Sequence, residues 1–122
     1  MWNNKGAFSN ELAERLFKFA TDIIVFLMTM PDIPEARIIR YQLAKSAGSS
    51  GANYEEAQAG SSRADFGNKV RISLREMRES NYWLRLIRSS GIKCNSVEEK
   101  RLIGESRELM NILGSIVQKA RH

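Results

Sequence analysis

The sequence predicts an all-α fold, an antiparallel up-down-up-down four-helix bundle. Three observations point there. Apolar residues recur at alternating steps of three and four in four separate stretches. Short breaker segments part those stretches: Pro31-Asp32-Ile33-Pro34, the neighbourhood of Gly60, and the run from Gly91 to Ser96. No stretch alternates apolar and polar residues over the length of a strand.

Residues 1–9 read as a flexible arm, and the bundle as residues 10–120. Ser9 or Asn10 is expected to cap the first helix, about 10–30. Leu12, Leu16, Phe19, Ile23, Phe26 and Met30 form its inward line, widened by Ala13, Phe17, Ala20, Ile24 and Leu27. Pro34 suits the first turn of the second helix, about 35–59, where a missing N–H costs nothing. The inward face there is Ala36, Ile39, Leu43, Ala47, Ser50, Tyr54 and Ala57, small at its middle. Gly48 and Gly51 each cost about 1 kcal/mol in a helix interior relative to alanine. Close approach of a neighbouring backbone is the expected compensation. Ile38 and Tyr41 point away from that face.

Gly60 ends the second helix, and Ser62-Arg63-Ala64-Asp65 resembles a capping box for the third, about 63–90. Phe66, Val70, Ser73, Met77, Ser80, Leu84 and Ile87 keep the period of coiled-coil-like packing. Lys69, Glu76 and Trp83 run along the edge of that line. Gly91 closes the helix. Ser96 with Glu99 reads as a capping box for the fourth helix, about 97–120. Its inward line is Leu102, Ser106, Leu109, Leu113, Ile116 and Ala120.

A chain of 122 residues makes one domain with a real core. Charged residues make up 27% of it, and the longest apolar run, Ile23 to Met28, is too short to span a bilayer. No signal-peptide pattern is visible in Met1 to Ser9. Cys94 is the single cysteine, so no internal disulfide forms; a reducing, cytoplasmic location is the expectation. The net charge of +5 permits an acidic partner such as nucleic acid without requiring one.

The best functional candidate is a basic stripe. Arg71, Arg75, Arg78 and Arg85 fall in one narrow sector of the third helix, opposite its core line, with Tyr82 among them. Residues 62–90 hold seven basic and three acidic side chains, a net +4 of the chain's +5. Forked arginine donors suit phosphate, and a tyrosine ring can stack on an unpaired base. The bland alternative is a solvated helix face, or arginines paired with acids of a neighbouring subunit. Glu55, Glu56, Glu76 and Glu79 are the candidate carboxylates. The only histidine is His122, so the Glu-x-x-His motifs of di-metal bundles are missing, and neither metal nor cofactor is expected. Glu76 is expected to pair with Arg40 or Lys45. Asn53 is placed as a register-fixing amide beside Tyr54, Trp83 as a packing anchor at a helix or subunit edge, and Cys94 as a bystander thiol with no acid nearby.

Ala52-Asn53-Tyr54-Glu55-Glu56-Ala57, Ser62, Asp65-Phe66, Lys69, Ile72, Leu74, Glu76, Glu79 and Tyr82-Trp83-Leu84 resemble the four-helix-bundle proteins encoded in intervening sequences of bacterial 23S ribosomal RNA genes. The resemblance covers nearly the whole chain and is densest in the second and third helices. Gly48, Gly60 and Gly67 depart from the common pattern, where alanine or bulkier residues are more usual. The resemblance implies a bacterial, cytoplasmic homopentamer. It also implies kinship with the accessory variability determinant of diversity-generating retroelements, a basic pentameric barrel that binds nucleic acid and a reverse transcriptase. The intervening-sequence branch itself carries no established biochemical activity. The expected function is a non-enzymatic homo-oligomeric scaffold whose basic surface binds RNA or other nucleic acid. The alternative is a protein-interaction adaptor with no nucleic-acid role, in which the same face docks an acidic protein.

Overall fold

A computed structural model of the chain describes residues 7–60 and 62–120. Four helices account for most of them: α1 Ala7–Leu27, α2 Pro34–Ala59, α3 Arg63–Ser90 and α4 Ser96–Ala120. Each helix packs against two others, α1 on α2 and α4, and α3 on α2 and α4. Every neighbouring pair is antiparallel. Going up α2 from Ser46 to Ser50, the partners on α3 descend from Ser80 to Ser73. Going up α1 from Arg15 to Asp22, the partners on α4 descend from Glu105 to Arg101. The result is an up-down-up-down bundle closed around one core.

The inward lines of α2 and α3 are buried at every position the periodicity assigns to them, and so is that of α1. Two of the residues expected to widen the α1 face do otherwise. Phe17 is 67% exposed and Ile24 is 44% exposed. With Met28, in the turn just after α1, they repeat at steps of seven and four, so they form a second apolar line on the outside of α1 and its end.

Helix ends follow local chemistry where neighbours do not intervene. Ile33 is extended and Pro34 opens α2, with Arg37 N–H bonded to Ile33 O at 2.9 Å. Ser62 Oγ accepts from Asp65 N–H at 3.0 Å, capping α3. Gly91 closes α3 in the left-handed conformation at φ 76°. Gly60 also ends a helix, but in extended backbone rather than the left-handed cap. A methyl group there would lie 2.9 Å from the Asp65 carboxylate.

Three end assignments need correction. Residues 7–9, read as part of the arm, are helical, while residues 1–6 lie outside the described residues. Ser9 is buried and hydrogen-bonded with Tyr54, so it anchors the first turn of α1 to the core instead of capping it. α1 ends at Leu27, not near residue 30. Met28, Thr29 and Met30 make i to i−3 bonds ahead of Pro31, which disfavours helical backbone in the residue before it. Asn95, not Ser96, caps α4: its Oδ1 accepts from Glu98 N–H at 3.1 Å and its carbonyl from Glu99 N–H at 2.9 Å. Asn95 N–H in turn donates to Thr29 Oγ1 at 3.1 Å, tying the two loops at this end of the bundle together.

The α2/α3 seam holds polar bonds inside the core. Ser46 Oγ and Ser80 Oγ lie 2.8 Å apart. Ser50 Oγ donates to Ser73 O at 2.8 Å, and Ser73 Oγ donates back to Ser50 O at 2.7 Å. All four serines are buried and each hydroxyl is satisfied, which is the condition for tolerating them there. The glycines of α2 are not explained by close packing. A methyl at Gly51 would meet Leu16 at an ordinary 3.5 Å, and at Gly48 it would meet nothing within 4 Å. Gly48 therefore has no compensation within the single bundle.

Candidate nucleic-acid interface

The outer face of α3 is opposite its buried seam, so Arg71, Arg75, Arg78, Tyr82 and Arg85 all stand exposed in one column. None of the four arginines hydrogen-bonds to a carboxylate among the described residues, although Glu76 and Glu79 stand on the same helix. Arg71 Nη1 donates to Asn68 Oδ1 at 2.9 Å, a neutral partner. Arg75, 66% exposed, has only Glu76 of its own helix, at 3.9 Å, beyond hydrogen-bond range. Arg78 makes no ion pair or hydrogen bond among the described residues. Arg85 Nε donates to Asn81 Oδ1 at 2.9 Å, and its guanidinium carbon lies 5.8 Å from the centre of the Tyr82 ring. Tyr82 itself is half exposed and meets Trp83 edge to face, with ring centres 5.2 Å apart.

The face between α1 and α4 is built differently. Arg15 grips Glu105 through two bonds of 2.7 and 2.8 Å and reaches Glu108 at 2.7 Å. Arg101 reaches Asp22 at 2.9 Å and Glu98 at 2.8 Å. Hydrogen bonds from Arg15 hold Glu105 below the usual carboxylate range, and those from Arg101 do the same for Glu98. Burial alone would raise Asp22, but the bonds from Arg101 and Lys18 outweigh it and the net direction is down. Charge on this face is internally cancelled.

The remaining candidates separate. Glu55, Glu56 and Glu79 are exposed, and Glu76 is half-buried on α3. No group of three or more metal-capable side chains occurs among the described residues, and His122 lies outside them. Glu76 does not pair with Arg40, which turns to Asp32 and to Met30 O, each at 3.4 Å. Burial and the neighbouring Glu79 raise the Glu76 carboxyl, against the opposing charges of Arg75 and Lys45. Asn53 does not bridge helices: it donates to Ser49 O and Oγ of its own helix at 2.8 and 3.0 Å. Tyr54 is wholly inside the core, its phenol raised by burial. Trp83 packs against the core with its Nε1 buried and without a hydrogen-bond partner among the described residues. Cys94, expected to have no acid nearby, donates to Glu99 at 3.3 Å. Burial and that carboxylate push its thiol up to about 11, so it stays protonated and a poor nucleophile.

One functional-looking residue escaped sequence reasoning. Asn81 is buried, accepts from Arg85, and donates to Ser106 Oγ of α4 at 2.9 Å. It is the inter-helix amide that Asn53 was expected to be. Its position one step off the α3 core line was the available signal. A cavity of about 490 Å³ opens where Phe8, Tyr54, Phe66 and Ile116 meet. Its described lining contains no carboxylate or histidine. No helix among the described residues is long and apolar enough to cross a membrane.

The comparisons with known proteins agree with this architecture. A protein of unknown function from the S23 ribosomal protein family of Bacteroides thetaiotaomicron has a similar structure, with a TM-score of 0.76 at 32% identity. The similarity covers 87% of this chain and 97% of that one. No curated protein matches. Residues 9–115, from the first turn of α1 well into α4, match the family described as 23S rRNA-intervening sequence protein, and the chain belongs to that family.

Proposed function

We propose that the protein is a non-enzymatic homo-oligomeric helical scaffold whose α3 face binds RNA or another nucleic acid. The observation that carries this reading is the difference in charge compensation between faces. Arg15 and Arg101 are each claimed by two carboxylates, whereas Arg71, Arg75, Arg78 and Arg85 have no carboxylate partner nearer than 3.9 Å. A column of uncompensated guanidinium groups attracts polyanions and releases their counterions on binding.

Assembly is supported by the apolar residues left outside. Phe17 and Ile24 share a face of α1 that Met28 extends into the following turn, and Ile38 and Tyr41 stand exposed on the adjoining α2. Gly48, on the same helix, leaves room for a backbone that the single bundle does not supply. The family resemblance implies five copies, and five arginine columns would add their weak contacts by avidity.

The test is replacement of Arg71, Arg75 and Arg78 by glutamine. Binding to RNA should be lost while helicity is unchanged, and the salt dependence of any residual binding should flatten by about two units of log–log slope. Unchanged affinity would remove this face from consideration. The adaptor reading gains if a captured acidic protein depends on the same arginines and survives nuclease treatment.

A further inference from the structure

We propose that Tyr82, preset by Arg85 and Asn81, is a stacking platform for an unpaired base, so that the α3 face selects single-stranded over duplex nucleic acid. This rests on the reading of α3 as a nucleic-acid surface and adds the substrate class.

The arrangement runs from the core outward as a relay of bonds. Ser106 Oγ donates to Ile103 O at 2.8 Å within α4. Asn81 Nδ2 donates to Ser106 Oγ at 2.9 Å, and Arg85 Nε donates to Asn81 Oδ1 at 2.9 Å. Asn81 and Ser106 are both buried, so the relay is anchored where side chains do not wander. Its outer end places the Arg85 guanidinium 5.8 Å from the Tyr82 ring centre. Trp83 holds the same ring from the side, nearly perpendicular at 80°. Arg85 lies over one face of the Tyr82 ring and Trp83 meets it edge to face, while half of its surface stays open and its hydroxyl has no partner among the described residues.

A half-exposed aromatic ring with Arg85 over one face and Arg78 one turn earlier on the helix has the parts of a single-strand site: cations for the phosphates and a second π-face for a base. Duplex nucleic acid keeps its base faces stacked inside and presents only edges and phosphates. An unpaired strand alone can offer a base to the ring. Arg85 is also not interchangeable with lysine here, because its Nε–H is tethered to Asn81 while the terminal nitrogens remain available. Asn81 acts through Arg85 and is a positioning residue.

The test measures binding by fluorescence anisotropy. The probes are an unstructured RNA of about 20 nucleotides containing only A and C, and the same strand annealed to its complement, each at low and high salt. The wild type should hold the single strand roughly tenfold tighter than the duplex. Tyr82→Ala should lose about that factor for the single strand and nothing for the duplex, and Tyr82→Phe should retain it. Asn81→Leu and Arg85→Lys should lower single-strand affinity while duplex affinity holds, a split that general damage to the fold would not produce. Equal binding of both probes, or an unchanged single-strand affinity in Tyr82→Ala, overturns the platform and leaves the basic-face reading standing. Failure to bind either probe at low salt overturns both.

Discussion

The α1/α4 face and the α3 face carry the same side-chain chemistry and use it in opposite ways. On the first, arginines are locked to carboxylates from a helix far away in sequence, as in Arg15 with Glu105. On the second, arginines one turn apart have only neutral or same-helix neighbours. The first arrangement holds two helices in register and leaves little field outside. The second contributes little to holding the bundle together and leaves a positive column facing solvent. Position relative to a neighbouring helix, not residue type, decides which of the two an arginine does.

Charge reversal should break the comparison most sharply. Arg75→Glu with Arg78→Glu should weaken RNA binding on the order of a hundredfold and leave the thermal midpoint near that of the wild type. Arg101→Gln should leave RNA affinity unchanged. A parallel loss of affinity in both variants would mean that net charge, not the α3 column, governs binding.

The next effect is on stability. Arg15→Ala removes the clamp on Glu105 and Glu108, and should cost about 1 kcal/mol in denaturant titration, since the pair is partly exposed. The same truncation at Arg78 should cost less than about 0.5 kcal/mol. If the two costs are equal, the interhelical ion pairs are not structural.

Acid should act on one face only. Glu105, Asp22 and Glu98 are held below the usual carboxylate range in the folded state. Their stabilisation is therefore complete above their unfolded values near pH 4 and drains away as pH falls through the lowered folded ones. Unfolding curves across that window should steepen in the wild type and flatten in Arg15→Ala with Arg101→Ala.

The smallest effect is expected at Glu76, whose carboxyl is raised by burial and by Glu79. A raised acid favours the protonated form in the fold, so its ionisation above the folded value opposes folding. Glu76→Gln should gain up to about 0.5 kcal/mol at neutral pH, and the gain should vanish in acid. A loss at neutral pH would show Glu76 to be engaged by Lys45 more firmly than its burial suggests.

Much of the bundle was legible because its causes are local. A step of three and four marks a buried line wherever a partner helix exists, and Ser62 through its hydroxyl, and Pro34 and Gly91 through their backbones, mark helix ends locally. Ser9 and Ser96 misled because a hydroxyl reads as a cap until a core or a better cap, here Tyr54 or Asn95, claims the position. Phe17 and Ile24 misled for a related reason: period alone does not distinguish the core-facing side from a second apolar side. The column of Arg71, Arg75 and Arg78 could be drawn on a helical wheel. Whether acids would meet it could not, since the acids that neutralise Arg15 lie some ninety positions away. Asn53 and Asn81 both flank a seam, and only the neighbour each one meets, Ser49 of its own helix or Ser106 of another, separates their roles.

The serine bonds between α2 and α3 act as a vernier. Sliding α3 by one turn would strand the hydroxyls of Ser50 and Ser73, which bond only across the seam, a penalty of about 1–3 kcal/mol for each group left unbonded, whereas Ser46 and Ser80 also bond carbonyls of their own helices. The guanidinium ladder on its outer side is therefore fixed in height, with rungs set by the helical pitch of about 5.4 Å. A strand bound as proposed would have to conform to that spacing, because the ladder does not travel to meet it.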